Sequence, residues 1–276
     1  MVIKALSTVQ SVKSLQTVSV VLGLFLCLST LLGCGLSGER GADLERTFDH
    51  AVIAIPATRY TGVVVGTIKD FSALNAEARK YPIVLYIHGC TGIGNYTFIR
   101  ALARNGYVVI APNSMARRFR PLQCNPRTNT GGHNLFVYDF RRAEITYALH
   151  RMRQYDWVNW QELFLVGTSE GGVAAALYRG DEFRARVITQ WTCVGAPLVR
   201  GIGAPPETPM LAIVQGEDPW YDPARTTGQR GDCGLFMAGR PGSRSIILND
   251  GSGHDVFKSP DVVQEILRFL EINRMG

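Results

Sequence analysis

The chain has 276 residues, 46% hydrophobic and 19% charged, an ordinary globular balance with enough apolar material for one large core. Its formal net charge is +6, without a basic stripe interleaved with aromatics, so nothing in the composition supports nucleic-acid binding. No internal repeat is present, and no low-complexity segment lies beyond the first 35 residues, so one folded domain is expected.

Lys4 and Lys13 are the only charges before Glu39, and residues 17–35 read TVSVVLGLFLCLSTLLGCG. A basic start, an apolar run and small residues describe a secretory signal rather than part of a fold. The run ends Leu31-Leu32-Gly33-Cys34, which resembles a bacterial lipobox. The resemblance implies cleavage before Cys34 and lipidation of that cysteine. Residues 1–33 are then a lipoprotein-type signal peptide, 34–59 a tether and irregular lead-in, and 60–276 the folded domain. The expected location is the bacterial cell envelope, with the chain lipid-anchored through Cys34. An uncleaved amino-terminal anchor and a soluble periplasmic domain are the alternatives, although the run is short for a spanning helix, which needs about 20 apolar residues. Cleavage would remove Lys4 and Lys13 and no acid, lowering the net charge from +6 to +4. An exported domain can keep disulfides. Cys90, Cys124, Cys193 and Cys233 allow three full pairings, and the residues alone do not choose among them.

Residues 60–70 read as a strand. Residues 82–87 follow as a continuous apolar run, which suggests burial on both faces. Phe98, Ile99 and Leu102 have helical spacing, with Gly106 as a stop, and 107–111 is a third strand. Residues 112–133, rich in Pro, Asn, Arg and Gly, read as a long loop. A helix is expected over 139–155, then strands over 163–166, 187–192, 210–214 and 244–248. A last helix is capped by Ser259 with Pro260 in its first turn. Alternating strands and helices with apolar strands predict an α/β fold, a mostly parallel sheet with helices on both faces.

Phe164-Leu165-Val166-Gly167-Thr168-Ser169-Glu170-Gly171-Gly172 contains Gly-x-Ser-x-Gly between a strand and a helix. In that context the serine stands on a sharp bend with its hydroxyl exposed, so Ser169 is the candidate nucleophile. A serine hydroxyl needs a base, and the base needs an orienting acid. His254 is the one histidine after Ser169 and falls between the last strand and last helix. The acid is sought past the strand at 210–214, where Asp218 is preferred over Glu217 and Asp222 because a short carboxylate in a tight turn is held rigidly. The backbone N–H groups of Glu170 and of Cys90, in His88-Gly89-Cys90-Thr91-Gly92, are the candidate oxyanion donors. His88 is expected to be structural. No metal-ligand spacing is seen, and no cofactor is expected.

Together these residues resemble the alpha/beta-hydrolase superfamily, and within it the dienelactone hydrolase family, over roughly Tyr60 to Asn273. The matching residues are His88-Gly89-Cys90-Thr91-Gly92, Gly167 through Gly172, Asp218-Pro219-Trp220 and Gly253-His254-Asp255-Val256-Phe257. The resemblance implies hydrolysis of a small-molecule carboxylic ester or lactone through an acyl-enzyme. The name-giving enzymes use cysteine where this chain has Ser169, which points toward their esterase-like relatives. The segment Pro112-Asn113-Ser114-Met115-Ala116-Arg117-Arg118 resembles the loop that carries a carboxylate-binding arginine, and Arg117 is the matching position. The resemblance also implies a Cys124–Cys233 disulfide. A non-catalytic binding lipoprotein on the same fold, and a peptidase or acyltransferase with the same triad, are the competing readings.

Overall fold

The computed structural model describes residues 41–57, 62–71, 79–120, 122–221, 232–249, 251 and 253–274. The chain divides into two units, Met1–Asp43 and Leu44–Gly276, and the fold is that of the second. The signal-like run and Cys34 lie outside the described residues. Among the described residues no helix is long and apolar enough to cross a membrane.

The strands of the main sheet are β1 (Val52–Ile55), β2 (Val64–Thr67), β3 (Tyr81–Ile87), β4 (Val108–Ala111), β7 (Val158–Thr168), β8 (Ala185–Thr189), β9 (Met210–Gln215) and β10 (Arg244–Leu248). A separate ribbon pairs β5 (Cys124–Asn125) with β6 (Thr130–Gly131). The sheet order is β10-β9-β8-β7-β3-β4-β1-β2, with β1 antiparallel to both its neighbours and the pairs from β4 through β10 parallel. Alternation along β3 shows why its run is apolar throughout. Ile83, Leu85 and Ile87 pack on one face with Ile145 and Ala148 of α2 (Val137–Met152) and Ala174 of α3 (Glu170–Leu177). Val84 and Tyr86 pack on the other with Phe98 and Leu102 of α1 (Tyr96–Arg104) and Ile266 and Phe269 of the carboxy-terminal helix, Pro260–Ile272. A strand buried on both faces has no position for a polar side chain.

The elements largely follow the expected order, and beyond shifted ends (Val64–Thr67 for 60–70, Ala185–Thr189 for 187–192) and the unexpected short helix Gly234–Met237, two segments differ. Residues 44–49 are helical and β1 is a sheet strand, so the expected tether over 34–59 gives way to ordered structure well before its end. The run Val52-Ile53-Ala54-Ile55 is too short to show alternation, and its strand character comes from pairing with β4 and β2. The long loop at 112–133 contains a one-turn helix at Ser114–Ala116 and the β5–β6 ribbon. Its Pro- and Gly-rich composition signals turns but not what they fold against.

The disulfides are Cys90–Cys124 and Cys193–Cys233, with Cα–Cα separations of 6.0 and 5.0 Å, and the expected Cys124–Cys233 pair does not form. The β5–β6 ribbon brings Cys124 to the loop that follows β3, where Cys90 lies. Cys193 follows β8, and Cys233 precedes the short helix α4 (Gly234–Met237), which packs near that strand's apolar neighbours. The two pairs fit the oxidising compartment of an exported protein.

Candidate active site

Ser169 stands at the joint between β7 and α3 with φ 55° and ψ −120°, a strained backbone for a residue with a side chain. Three glycines make the joint possible. A Cβ on Gly167 would lie 2.2 Å from the Gly171 carbonyl oxygen, one on Gly171 2.0 Å from the Ile87 oxygen, and one on Gly172 2.7 Å from the Thr189 oxygen. The first turn of α3 therefore rests backbone against backbone on β3 and β8. The Ser169 N–H donates to the Thr189 carbonyl at 2.9 Å, which pins the bend to the sheet.

Ser169, Asp218 and His254 meet at the carboxyl end of the sheet. His254 Nε2 lies 2.8 Å from Ser169 Oγ, and His254 Nδ1 lies 2.6 Å from Asp218 Oδ2. Because an ionised carboxylate only accepts, the consistent arrangement has Nδ1–H donating to Asp218 and Nε2 accepting from the serine hydroxyl. The other oxygen of Asp218 accepts the Trp220 N–H at 2.9 Å, so the turn locks the carboxylate. Glu217 is exposed, whereas Asp218 is buried, and Asp222 lies outside the described residues. The rings of Trp220 and Tyr221 flank the imidazole, with centroids 5.0 and 6.2 Å from it. A chain of this geometry can take a proton from the serine and return it.

A cleft of about 630 Å³ opens over Ser169 and His254. Cys90 and Glu170, the expected oxyanion donors, both line it. The Glu170 N–H belongs to the first residue of α3 and so has no acceptor within the helix. The opposite wall is the segment after β8, including Trp191, Val194 and Leu198. The sequence does not mark that wall. Gln190, Cys193 and Leu198 all have positive φ there, at 60°, 64° and 61°, and such residue types carry no signal for that conformation.

Behind the cleft floor lies a buried charge cluster. Glu144 accepts from Arg117 on one oxygen, and from Arg141 at 2.6 Å and the Ser114 hydroxyl at 2.8 Å on the other. His88 is fully buried, its Nδ1 bonded to the Gly89 carbonyl at 2.6 Å and its Nε2 accepting the Ser114 N–H at 3.1 Å. Burial, reinforced by the Arg141 guanidinium, holds its imidazole well below the usual histidine range. It fastens the loop after β3 and does not reach the cleft, in line with the expected structural role.

Arg117 does not stand in the cleft. Its guanidinium is buried, paired with Glu144 and stacked over the Phe140 ring at 5.2 Å, which leaves it unavailable to a substrate carboxylate. The loop resemblance matched a residue type, but packing against α2 turned the side chain inward. Arg141 and Glu144 carry no signal in the sequence, because charged residues on a helix read as its solvated face. Glu170 is also buried, and burial pushes its carboxyl up to about 7 from an ordinary 4.5, partly opposed by Arg141.

No protein-family model matches this chain, and no curated protein matches it in sequence. Solved structures match in fold. A candidate dienelactone hydrolase from Klebsiella pneumoniae superposes with TM-score 0.50 and 16% identity, covering 80% of this chain and 98% of that one. A hyperthermophilic esterase from Pyrobaculum calidifontis gives 0.50 and 15%, covering 86% and 92%. An acylaminoacyl peptidase bound to a chloromethyl ketone gives 0.51 and 13%, covering 82% of this chain. The chain spans 40% of that peptidase's length and 38% of another, from Pyrococcus horikoshii. These likenesses establish the alpha/beta-hydrolase fold.

Two outcomes are expected. Glu170 binds its proton more tightly folded than unfolded, so its contribution to stability is full below about pH 4.5 and is lost as pH rises through about 7. Glu170→Gln mimics the protonated form, so in thermal melts its advantage over the parent should be larger at about pH 8.5 than at about pH 5. Arg117→Ala leaves Glu144 with one fewer cation in the core and should lower stability by about 3 kcal/mol or more in urea titrations. Rates on anionic and neutral esters should fall alike, and a selective loss on anionic ones would restore the substrate-binding role.

Proposed function

We propose that the chain is a serine hydrolase that cleaves small carboxylic esters or lactones through an acyl-enzyme. The observation that carries this reading is the pair of bonds made by one imidazole, 2.6 Å to Asp218 and 2.8 Å to Ser169. In the proposed reaction Ser169 Oγ attacks the substrate carbonyl while its proton passes to His254 Nε2. The carbonyl oxygen becomes an oxyanion held by the N–H groups of Cys90 and Glu170. Collapse breaks the C–O bond, and the imidazolium returns its proton to the leaving alkoxide. Water then attacks the acyl-enzyme by the same route, releasing the acid and restoring Ser169. Asp218 stays ionised and stabilises the imidazolium across the Nδ1 bond.

Oxyanion donors in a water-poor cleft are commonly the largest single contributor to such catalysis. The strained φ at Ser169 supports the same reading, since strain of this kind persists only where the surroundings over-determine it. The reading extends to export, with cleavage before Cys34 and lipidation of that residue. Two disulfides support the exported part of it.

Ser169→Ala should lower turnover of p-nitrophenyl acetate by on the order of 10⁴ and abolish fluorophosphonate labelling. An unchanged rate would overturn the assignment, and faster cleavage of a matched amide than of the ester would favour a peptidase. In a bacterial expression host, Cys34→Ser should abolish incorporation of labelled palmitate. Equal incorporation in parent and variant, or none in either, would remove the lipid anchor from the proposal.

A further inference from the structure

Arg141 is fully buried in α2, and it reaches the His88 carbonyl and the Glu170 side chain, one on each of the segments that carry the proposed oxyanion donors. One terminal nitrogen donates to the His88 carbonyl, two residues before the Cys90 amide. The other donates to Glu144 Oε2 at 2.6 Å. Its Nε lies 3.5 Å from Oε1 of Glu170, the residue whose N–H follows the nucleophile. The contact is an ion pair without hydrogen-bond geometry, and among the described residues neither that Nε nor that Oε1 has a hydrogen-bond partner.

We propose that Arg141 is a positioning residue for the hydrolysis, a single guanidinium that sets the spacing of the Cys90 and Glu170 amides by gripping the His88 carbonyl on one side and the Glu170 side chain on the other. The inference rests on the hydrolase reading of this site. The two donors arise from the ends of neighbouring parallel strands, β3 and β7, joined in register as far as Ile87 and Gly167. Beyond that last pair the ladder no longer holds the two segments together, and the oxyanion has to fit between them. A planar fork with fixed angles can tie both at once, whereas an ammonium group on a flexible stem cannot. Glu144 holds the fork from behind, since it is itself satisfied by Arg117 and the Ser114 hydroxyl. Glu170 is a residue of the cleft lining, although its Oε1 is itself buried.

The test uses the intact protein, with active sites counted by fluorophosphonate labelling, on a p-nitrophenyl ester and its thionoester. Sulfur accepts hydrogen bonds weakly, so the ratio of the two rates reads the oxyanion donors. Glu170→Ala keeps the backbone N–H and removes only the grip of Arg141 on the elbow. Its kcat per labelled serine should fall by roughly tenfold to a hundredfold, and the oxygen-to-sulfur ratio should fall with it. KM should stay within about twofold. Glu170→Gln, whose amide oxygen can accept from Nε, should recover most of the loss. Arg141→Lys, where it folds, should lose more than Glu170→Ala. Labelling with kcat and ratio unchanged in Glu170→Ala would overturn the role of Arg141 alone. Absence of labelling in the parent would overturn the hydrolase reading and this role with it.

Discussion

The backbone-to-backbone contact at the start of α3 is the constraint on which the remainder of the site depends. Gly171 lies so close to the end of β3, and Gly172 to the end of β8, that no side chain fits at either place. This contact drives the chain through a left-handed turn at Ser169 and leaves the hydroxyl projecting from the sheet's edge. Every other candidate group is then positioned relative to that point. Asp218 arrives from the end of β9, His254 from the turn before the last helix, and Cys90 from the loop after β3. A parallel sheet delivers all four at one end because its strands share a direction.

The second organising feature is the ionic cluster beneath the cleft. Burying several charges is costly unless they are paired and hydrogen-bonded. Glu144 meets that condition by accepting from two guanidinium groups and a hydroxyl. Glu170 meets it only in part, and burial shifts its carboxyl toward the neutral form. The two acids therefore differ in pairing, Glu144 being saturated and Glu170 keeping a buried Oε1 without a hydrogen-bond partner. The pairing of Glu144 also explains why Arg117, matched to a ligand-binding arginine by its surroundings in the chain, belongs instead to the interior.

The cleft walls are built differently from its floor. The floor consists of strand ends and a helix start, with little freedom. The walls are the β5–β6 ribbon and the irregular segment after β8, each tied down by a disulfide. With sequence separations of 34 and 40, each cross-link is worth about 4 kcal/mol on the loop-entropy account. Gly132 sits against Pro197, where a Cβ would come within 2.6 Å of the proline ring, so the two walls touch across the cleft. Short segments that could not hold a shape by regular hydrogen bonding are held by covalent and steric contacts.

The sequence by itself determined the sheet-and-helix alternation and the elbow at Ser169, and it narrowed the candidate base to one histidine and the candidate acid to the carboxylates past β9. Each of those rests on local chemistry: the period of apolar residues, glycines where no side chain fits, and one histidine in the right interval. Tertiary structure decided what depends on partners distant in the chain. It paired Cys90 with Cys124 and Cys193 with Cys233, because ribbon and strand positions determine which sulfurs come within bonding distance. It selected Asp218 over Glu217 by burying one and exposing the other. It turned Arg117 inward onto Glu144 and brought Arg141 to the His88 carbonyl and the Glu170 side chain, since a helical charge acquires a partner only when its helix docks against the sheet.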